Sequence, residues 1–185
     1  GGVFGCLGLT AAGAAGVTHW DTSTDERPVY GGIYRPFQNR ARSLDPHMET
    51  YNLTTLTTLN IYNTLLRISP DMKSVELDLA KSWRQIDERT YEFKIHQGVR
   101  FHDIPPVNGR ECTSADVKYS IERVAGMHGK KENFKHRYYF EDKLEAIETP
   151  DKYTIIFRTR EPYAPFIRYI ASPWTEIVPR ELVEQ

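Results

Sequence analysis

The stretch from Arg89 to Asp103 alternates strictly and then stops. Tyr91, Phe93 and Ile95 are apolar, and Glu92, Lys94 and His96 between and after them are charged or titratable. A period of two puts the two sets on opposite faces of a pleated strand, one wet and one buried. Gln97-Gly98 then forms a turn, and Val99, Phe101, His102 and Asp103 follow. The chain must therefore build a core for the apolar face of this strand and carry the backbone from the turn into a second segment. The His102-Asp103 end raises a chemical question, since with His96 it offers three metal-ligand types, as a secreted metal-dependent hydrolase would use. His96 falls on the polar face, however, and no further His, Cys or Asp cluster completes a site. The pair is read as scaffold.

Around this strand the pattern is mixed. Tyr30–Phe37 reads as a short strand entered through two glycines, and Asn39–His47 as a loop in which Pro46 holds Asp45 extended. Leu53, Leu56, Leu59, Ile61, Tyr62, Leu65 and Leu66 recur at offsets of three and four. They predict one helix over Tyr51–Leu66, despite several threonines. Ser69-Pro70-Asp71 is a turn, and two prolines with Asn-Gly make Ile104–Glu111 a loop. Thr113 followed by Asp116 is a capping box, Val117, Ile121 and Val124 form one helical face, and Gly126 ends the helix. His128–Lys143 is basic with interleaved aromatics but is interrupted by acids, so it reads as a solvated loop. Strands are expected at Leu144–Glu148 and Tyr153–Arg158 around a Pro150-Asp151-Lys152 turn, and a helix over Phe166–Ile170. A short strand is expected at Glu176–Val178, and a last helix from Pro179. Without a regular βαβ rhythm the fold class is α+β, or mixed α/β.

Bulk properties narrow the function. The balance of 24 basic against 25 acidic residues leaves no strong field of one sign, which argues against nucleic acid or an anionic membrane as the main partner. Eleven tyrosines, eight phenylalanines and three tryptophans suit strands and recognition surfaces. Two cysteines exclude a disulfide framework, and Cys112 reads as a free, partly buried thiol. Residues 1–16 carry no charge and end in an Ala/Gly cluster, which reads as the remnant of an export or lipoprotein signal with Cys6 as a possible lipidated residue. Val17–Val29 reads as a linker.

The segments "GGIYR", "SLDPH", "NIYNTLLRISPD", "LAKSWRQIDERTYEFKIHQGVRFHD", "TSADVKYSIERV", "AIETPDKYTIIFRTREPYAPF" and "IVPRELVE" together resemble the family 5 extracellular solute-binding proteins of ABC importers, of the oligopeptide and dipeptide type. The resemblance runs from Tyr30 to Glu184 and is most specific from Leu79 through Asp103 to Arg123. It implies part of the N-terminal lobe of a two-lobe fold like type II periplasmic binding proteins. In that frame residues 30–185 are an incomplete lobe, and roughly residues 45–157 are its accessory subdomain. It further implies an extracytoplasmic protein, periplasmic and in some members membrane-anchored, that closes on its ligand about a hinge and delivers it to a membrane permease. A peptide or other small solute and the permease subunits are the implied partners. The expectation is a monomer, without cofactor, metal or catalytic residues, that does not act as an enzyme. Ser43, Leu44 and Asp45, with Ser172 and Trp174, are placed by resemblance near the ligand cleft. The alternatives are the metal-dependent hydrolase built on His96, His102 and Asp103, and a ligand sensor with no transport role.

Overall fold

A computed structural model describes Gly31, Ile33 and residues 43–48, 52–129 and 133–184. The chain divides into two units, residues 1–37 and 38–185, and the second holds every helix and strand described below. The expected signal remnant with Cys6, the linker, and most of the Tyr30–Phe37 strand lie outside the described residues.

The alternating stretch is strand β4 (Thr90–Ile95), the second of four antiparallel strands in the order β3 (Ala80–Asp87), β4, β6 (Thr154–Thr159), β5 (Leu144–Asp151). Phe93 sits opposite Ile155 and Tyr91 opposite Phe157, so one face of the sheet is a continuous apolar surface. Phe93, Ile155 and Phe157 are fully buried, and the Phe93 and Phe157 rings meet edge to face at 5.5 Å. On the other face Arg84 of β3 pairs with Glu92, and Arg158 with Glu148. These exposed pairs set charge pattern more than stability. A smaller antiparallel hairpin joins β1 (Leu66–Ile68) to β2 (Val75–Leu77), and its turn is held by the Ser69 and Asp71 side chains.

Helix α2 (Ser114–Val124) covers the apolar face, with Val117, Ile121 and Val124 fully buried. Its start is the predicted capping box: the Asp116 carboxylate accepts the Thr113 backbone N–H at 2.8 Å and the Thr113 hydroxyl at 3.1 Å. Its end is equally specific. Gly126 has φ +78°, Gly126 N–H donates to Arg123 O, and Met127 N–H donates to Glu122 O. That pair of bonds closes the last turn and requires the left-handed conformation that glycine adopts freely. Gly98, in the turn after β4, has φ +74° for the same reason.

Two expected elements are corrected. Helix α1 ends at Thr58 and is Asn52–Thr58, not Tyr51–Leu66. After it the Asp78 carboxylate takes the Thr64 backbone N–H and the Asn63 amide, drawing the chain out so that Leu65 and Leu66 enter the core from an extended backbone. Leu56 and Leu59, counted toward an apolar face, are exposed. Glu176–Val178 is not a strand, because its backbone groups go elsewhere. Glu176 O binds His47, Val178 N–H binds Ser120 Oγ, and Ile177 N–H alone reaches a backbone oxygen, that of Asn63. The basic loop is also less solvated than expected, since Phe134 and Phe140 are buried and Arg137–Tyr139 forms a 3₁₀ turn. Helices α3 (Phe166–Ile170) and α4 (Arg180–Val183) stand where the prolines predicted helix starts, and a 3₁₀ turn at Pro173–Thr175 lies between them.

Replacing Phe93 by alanine removes a fully buried ring from the centre of this sheet. A loss of about 3–5 kcal/mol is expected, read as a lower midpoint in urea denaturation with an unchanged slope.

Candidate functional site

Beside its apolar stripe α2 carries a second buried stripe at the same spacing, made of Asp116, Ser120 and Arg123. Polar groups buried this way must find partners in other segments. Asp116 holds the helix start and takes two bonds from Arg110, whose guanidinium also binds Glu181 on α4. Ser120 Oγ donates to Asp116 O and accepts the Val178 N–H at 3.0 Å, which ties down the 172–178 segment. Arg123 reaches the 43–48 loop and clamps Asp45 with two bonds of 2.8 and 2.6 Å, while its guanidinium lies over the Phe134 ring at 5.0 Å.

The loop is seated by more than that pair. Asp45 N–H donates to Ser43 Oγ, and His47 N–H donates to Asp45 Oδ1, each at 3.0 Å. The His47 side chain is fully buried, and its Nε2 lies 2.7 Å from Glu176 O. A carbonyl only accepts, so Nε2 carries the proton and Nδ1, which has no partner among the described residues, does not. Glu176 is 0 % exposed. By geometry neither carboxyl oxygen has a partner among the described residues; the Thr58 hydroxyl, near enough to lower the carboxyl in part, donates to Thr55 O at 3.2 Å.

Burial decides the protonation states here. It pushes the Glu176 carboxyl up to about 8, so the group is mostly protonated at neutral pH. Burial, joined by the Arg123 charge, pushes the His47 imidazole down to about 4, so it is neutral. Burial alone would raise the Asp45 carboxyl, but its hydrogen bonds and charge attraction to Arg123 prevail and hold it below the usual carboxylate range. Tyr62, close to both Asp45 and Glu176, is raised by burial and by their charges. It also lines three neighbouring cavities, two of them beside α4. One, of about 340 Å3, is bordered by Leu44, Asp45, Pro46, Val178, Leu182 and Val183. The other, of about 240 Å3, is bordered by Ile61, Phe101, His102, Ile104, Val107 and Leu182.

A second cluster surrounds Trp174, which is half-buried. It stacks on His136 with ring centres 4.2 Å apart and planes 8° apart, and on Tyr139 at 5.8 Å. Tyr139 stacks on Tyr169 at 4.0 Å, and Tyr169 on Tyr163 at 6.0 Å, which makes a ladder of five rings. Ser172 is buried, and its hydroxyl donates to Arg168 O.

Of the residues proposed from sequence, Leu44 is exposed and Trp174 is partly buried, packed against the core. Ser43 and Ser172 bond to backbone nearby, and Asp45 is saturated by Arg123. His96, His102 and Asp103 are not brought together into a site, and among the described residues no three His, Cys, Asp or Glu side chains are grouped to hold a metal ion. Cys112 is a free, buried thiol, and burial pushes it up to about 12. The Asp45–Arg123 and His47–Glu176 contacts go unannounced by local sequence. The one signal pointing to them is the polar stripe beside the apolar one on α2.

The described part is thus a mixed α/β arrangement with a clamped loop, neighbouring cavities and an aromatic ladder around Trp174. The family model for bacterial extracellular solute-binding proteins, family 5 Middle, matches residues 74–184. The chain belongs to that family. Among curated proteins, the HTH-type transcriptional regulator SgrR of Photorhabdus laumondii is 29% identical over 148 residues, 80% of this chain and 23% of the relative. Di/tripeptide-binding protein 2 of Pseudomonas aeruginosa is 29% identical over 134 residues, 68% of this chain and 25% of the relative. Among solved structures, the periplasmic binding protein DppA from Helicobacter pylori in complex with the peptide STSA matches with TM-score 0.68 and 27% identity, covering 80% of this chain and 30% of that one. The binding protein AgaA of Agrobacterium tumefaciens R10 with agropinic acid matches with TM-score 0.67 and 28% identity, covering 78% and 28%. The chain thus spans about a quarter of the length of the curated relatives it matches. Its fold is part of one lobe of a type II periplasmic-binding-protein architecture.

Removing one member of the Asp45–Arg123 pair strands a charge that is largely out of water. Asp45→Ala should cost about 3–5 kcal/mol in urea denaturation, and Arg123→Met in the same background should restore much of that loss.

Proposed function

We propose that this chain is the ligand-capturing part of an extracytoplasmic receptor for an ABC importer, and that its cargo is a peptide. The observation carrying this reading is the match, in both fold and sequence, to a peptide-bound periplasmic binding protein. Capture by such a receptor is a hinge closure that makes and breaks no covalent bond, and a permease recognises the closed form. In this reading residues 30–185 are an incomplete N-terminal lobe of a monomer, with roughly residues 45–157 as its accessory subdomain. Export would follow from the charge-free segment 1–16, with Cys6 as a lipid anchor. Among the described residues no helix is long and apolar enough to cross a membrane.

Within the lobe, the exposed Leu44 and the solvent-accessible part of Trp174 are the ligand contacts, and Ser43, Asp45 and Ser172 shape the backbone beside them. The ring ladder behind Trp174 keeps the indole rigid, so a ligand stacking on it costs little side-chain entropy. A second reading, a ligand sensor without a transport role, is favoured by one observation, the similarity to a transcriptional regulator over 80% of the chain.

Mass spectrometry of small molecules released from the complete, natively purified protein tests the class of cargo. Peptides are expected, and a non-peptide solute would replace the peptide assignment. Trp174→Ala should lower affinity for the recovered ligand about tenfold by titration calorimetry, with the melting temperature as a control for folding. Unchanged affinity would remove Trp174 from the binding surface.

A further inference from the structure

We propose that the seat of the 43–48 loop is a proton-operated latch, closed while Glu176 is uncharged and His47 neutral, and loosened when Glu176 gives up its proton. The geometry carries this. One residue both anchors the loop and bears the orphaned acid: Glu176 O receives the His47 Nε2–H at 2.7 Å, and both carboxyl oxygens of the same residue are without a partner among the described residues. Among the described residues, the groups facing this joint are Asp45 and His47 from the loop, Thr58 from α1, Tyr62 from the segment after it, and Arg123 from α2. Arg123 is the only cation among them, and both of its terminal nitrogens are committed to Asp45. Ionised Glu176 would be an uncompensated charge in a place with no exposure. The structure relieves that charge most readily by lifting the 43–48 loop, in which Leu44 is already 53% exposed, and admitting water.

The two titrating groups act with opposite sign. Glu176 is held at about 8 against an ordinary 4.5, so its contribution to seating is complete below 4.5 and is lost as pH rises through 8. His47 is held at about 4 against an ordinary 6.5, so its contribution is complete above 6.5 and is lost as pH falls through 4. Between 4.5 and 6.5 the two slopes oppose and largely cancel. Above 6.5 Glu176 acts alone. The latch should therefore hold steady from about pH 5 to 6 and weaken about tenfold between pH 6 and 8.

Hydrogen exchange at the Asp45 and His47 amides, whose acceptors are Ser43 Oγ and the Arg123-clamped Asp45 carboxylate, follows the solvent access that lifting the loop would bring, in the full chain and once rates are corrected for intrinsic pH dependence. In the wild type, protection should be flat from about pH 5 to 6 and then fall about tenfold by pH 8. Glu176→Gln leaves only the His47 slope, so its protection should rise about twentyfold from pH 5 to 7 and stay there. His47→Gln keeps a side-chain donor for Glu176 O but leaves only the Glu176 slope, so its protection should fall about a hundredfold or more across the whole range. Melting temperatures at pH 6 establish that both variants are folded. A Glu176→Gln profile that superimposes on the wild type, or a wild type with no change above pH 6, overturns the latch.

Discussion

A guanidinium buried on a helix obliges the rest of the chain to bring a carboxylate to it. Arg123 has a side chain only 6% exposed, and the carboxylate supplied is Asp45, 78 residues earlier. That requirement, together with the His47 contact to Glu176 O, fixes where the 43–48 loop lies. Ser120, one turn earlier on the same stripe, fixes the 172–178 segment through the Val178 amide, and Asp116 fixes the helix start and, through Arg110, α4. The apolar stripe of α2 packs on the sheet, and the polar stripe beside it gathers the segments that form the candidate site. Packing and site geometry are thus set by adjacent faces of one helix.

The parts legible in the sequence are those governed by near neighbours. Strand β4 follows from period-two alternation, the start of α2 from Thr113 and Asp116, its end from Gly126, and the turn after β4 from Gly98. Local pattern gives way at two places where distant groups override it. Leucines spaced for a helix after Thr58 are pulled into extended backbone by Asp78, and the backbone of Glu176–Val178 is claimed by His47, Ser120 and Asn63 before any ladder forms. For the candidate site, family resemblance proposes Ser43, Leu44, Asp45, Ser172 and Trp174 without their partners, and the polar stripe on α2 is the one local signal of the contacts that hold the loop. The His47–Glu176 contact spans 129 residues, and no local pattern encodes such a separation.

These partners change what the proposed residues can do. An acid near a binding cleft suggests a counter-ion for a charged ligand, yet the Asp45 charge is already neutralised by Arg123. Its role is to hold the loop in shape. Trp174, by contrast, is stacked on His136 and Tyr139 and is only partly buried. In the proposed binding role, Trp174 would then supply a rigid apolar contact and Asp45 no free charge.

The four-stranded sheet ends in two unlike margins. On one side β3 is solvent-exposed for seven of its eight residues, with irregular register near both ends and with Lys81 and Arg84 along it. On the other side β5 carries Pro150, which has no amide hydrogen to offer, beside another break in register. Neither margin is a good template for a foreign strand. The lobe can therefore present open sheet edges to its surroundings without recruiting an extended chain, or its own copies, into the ladder.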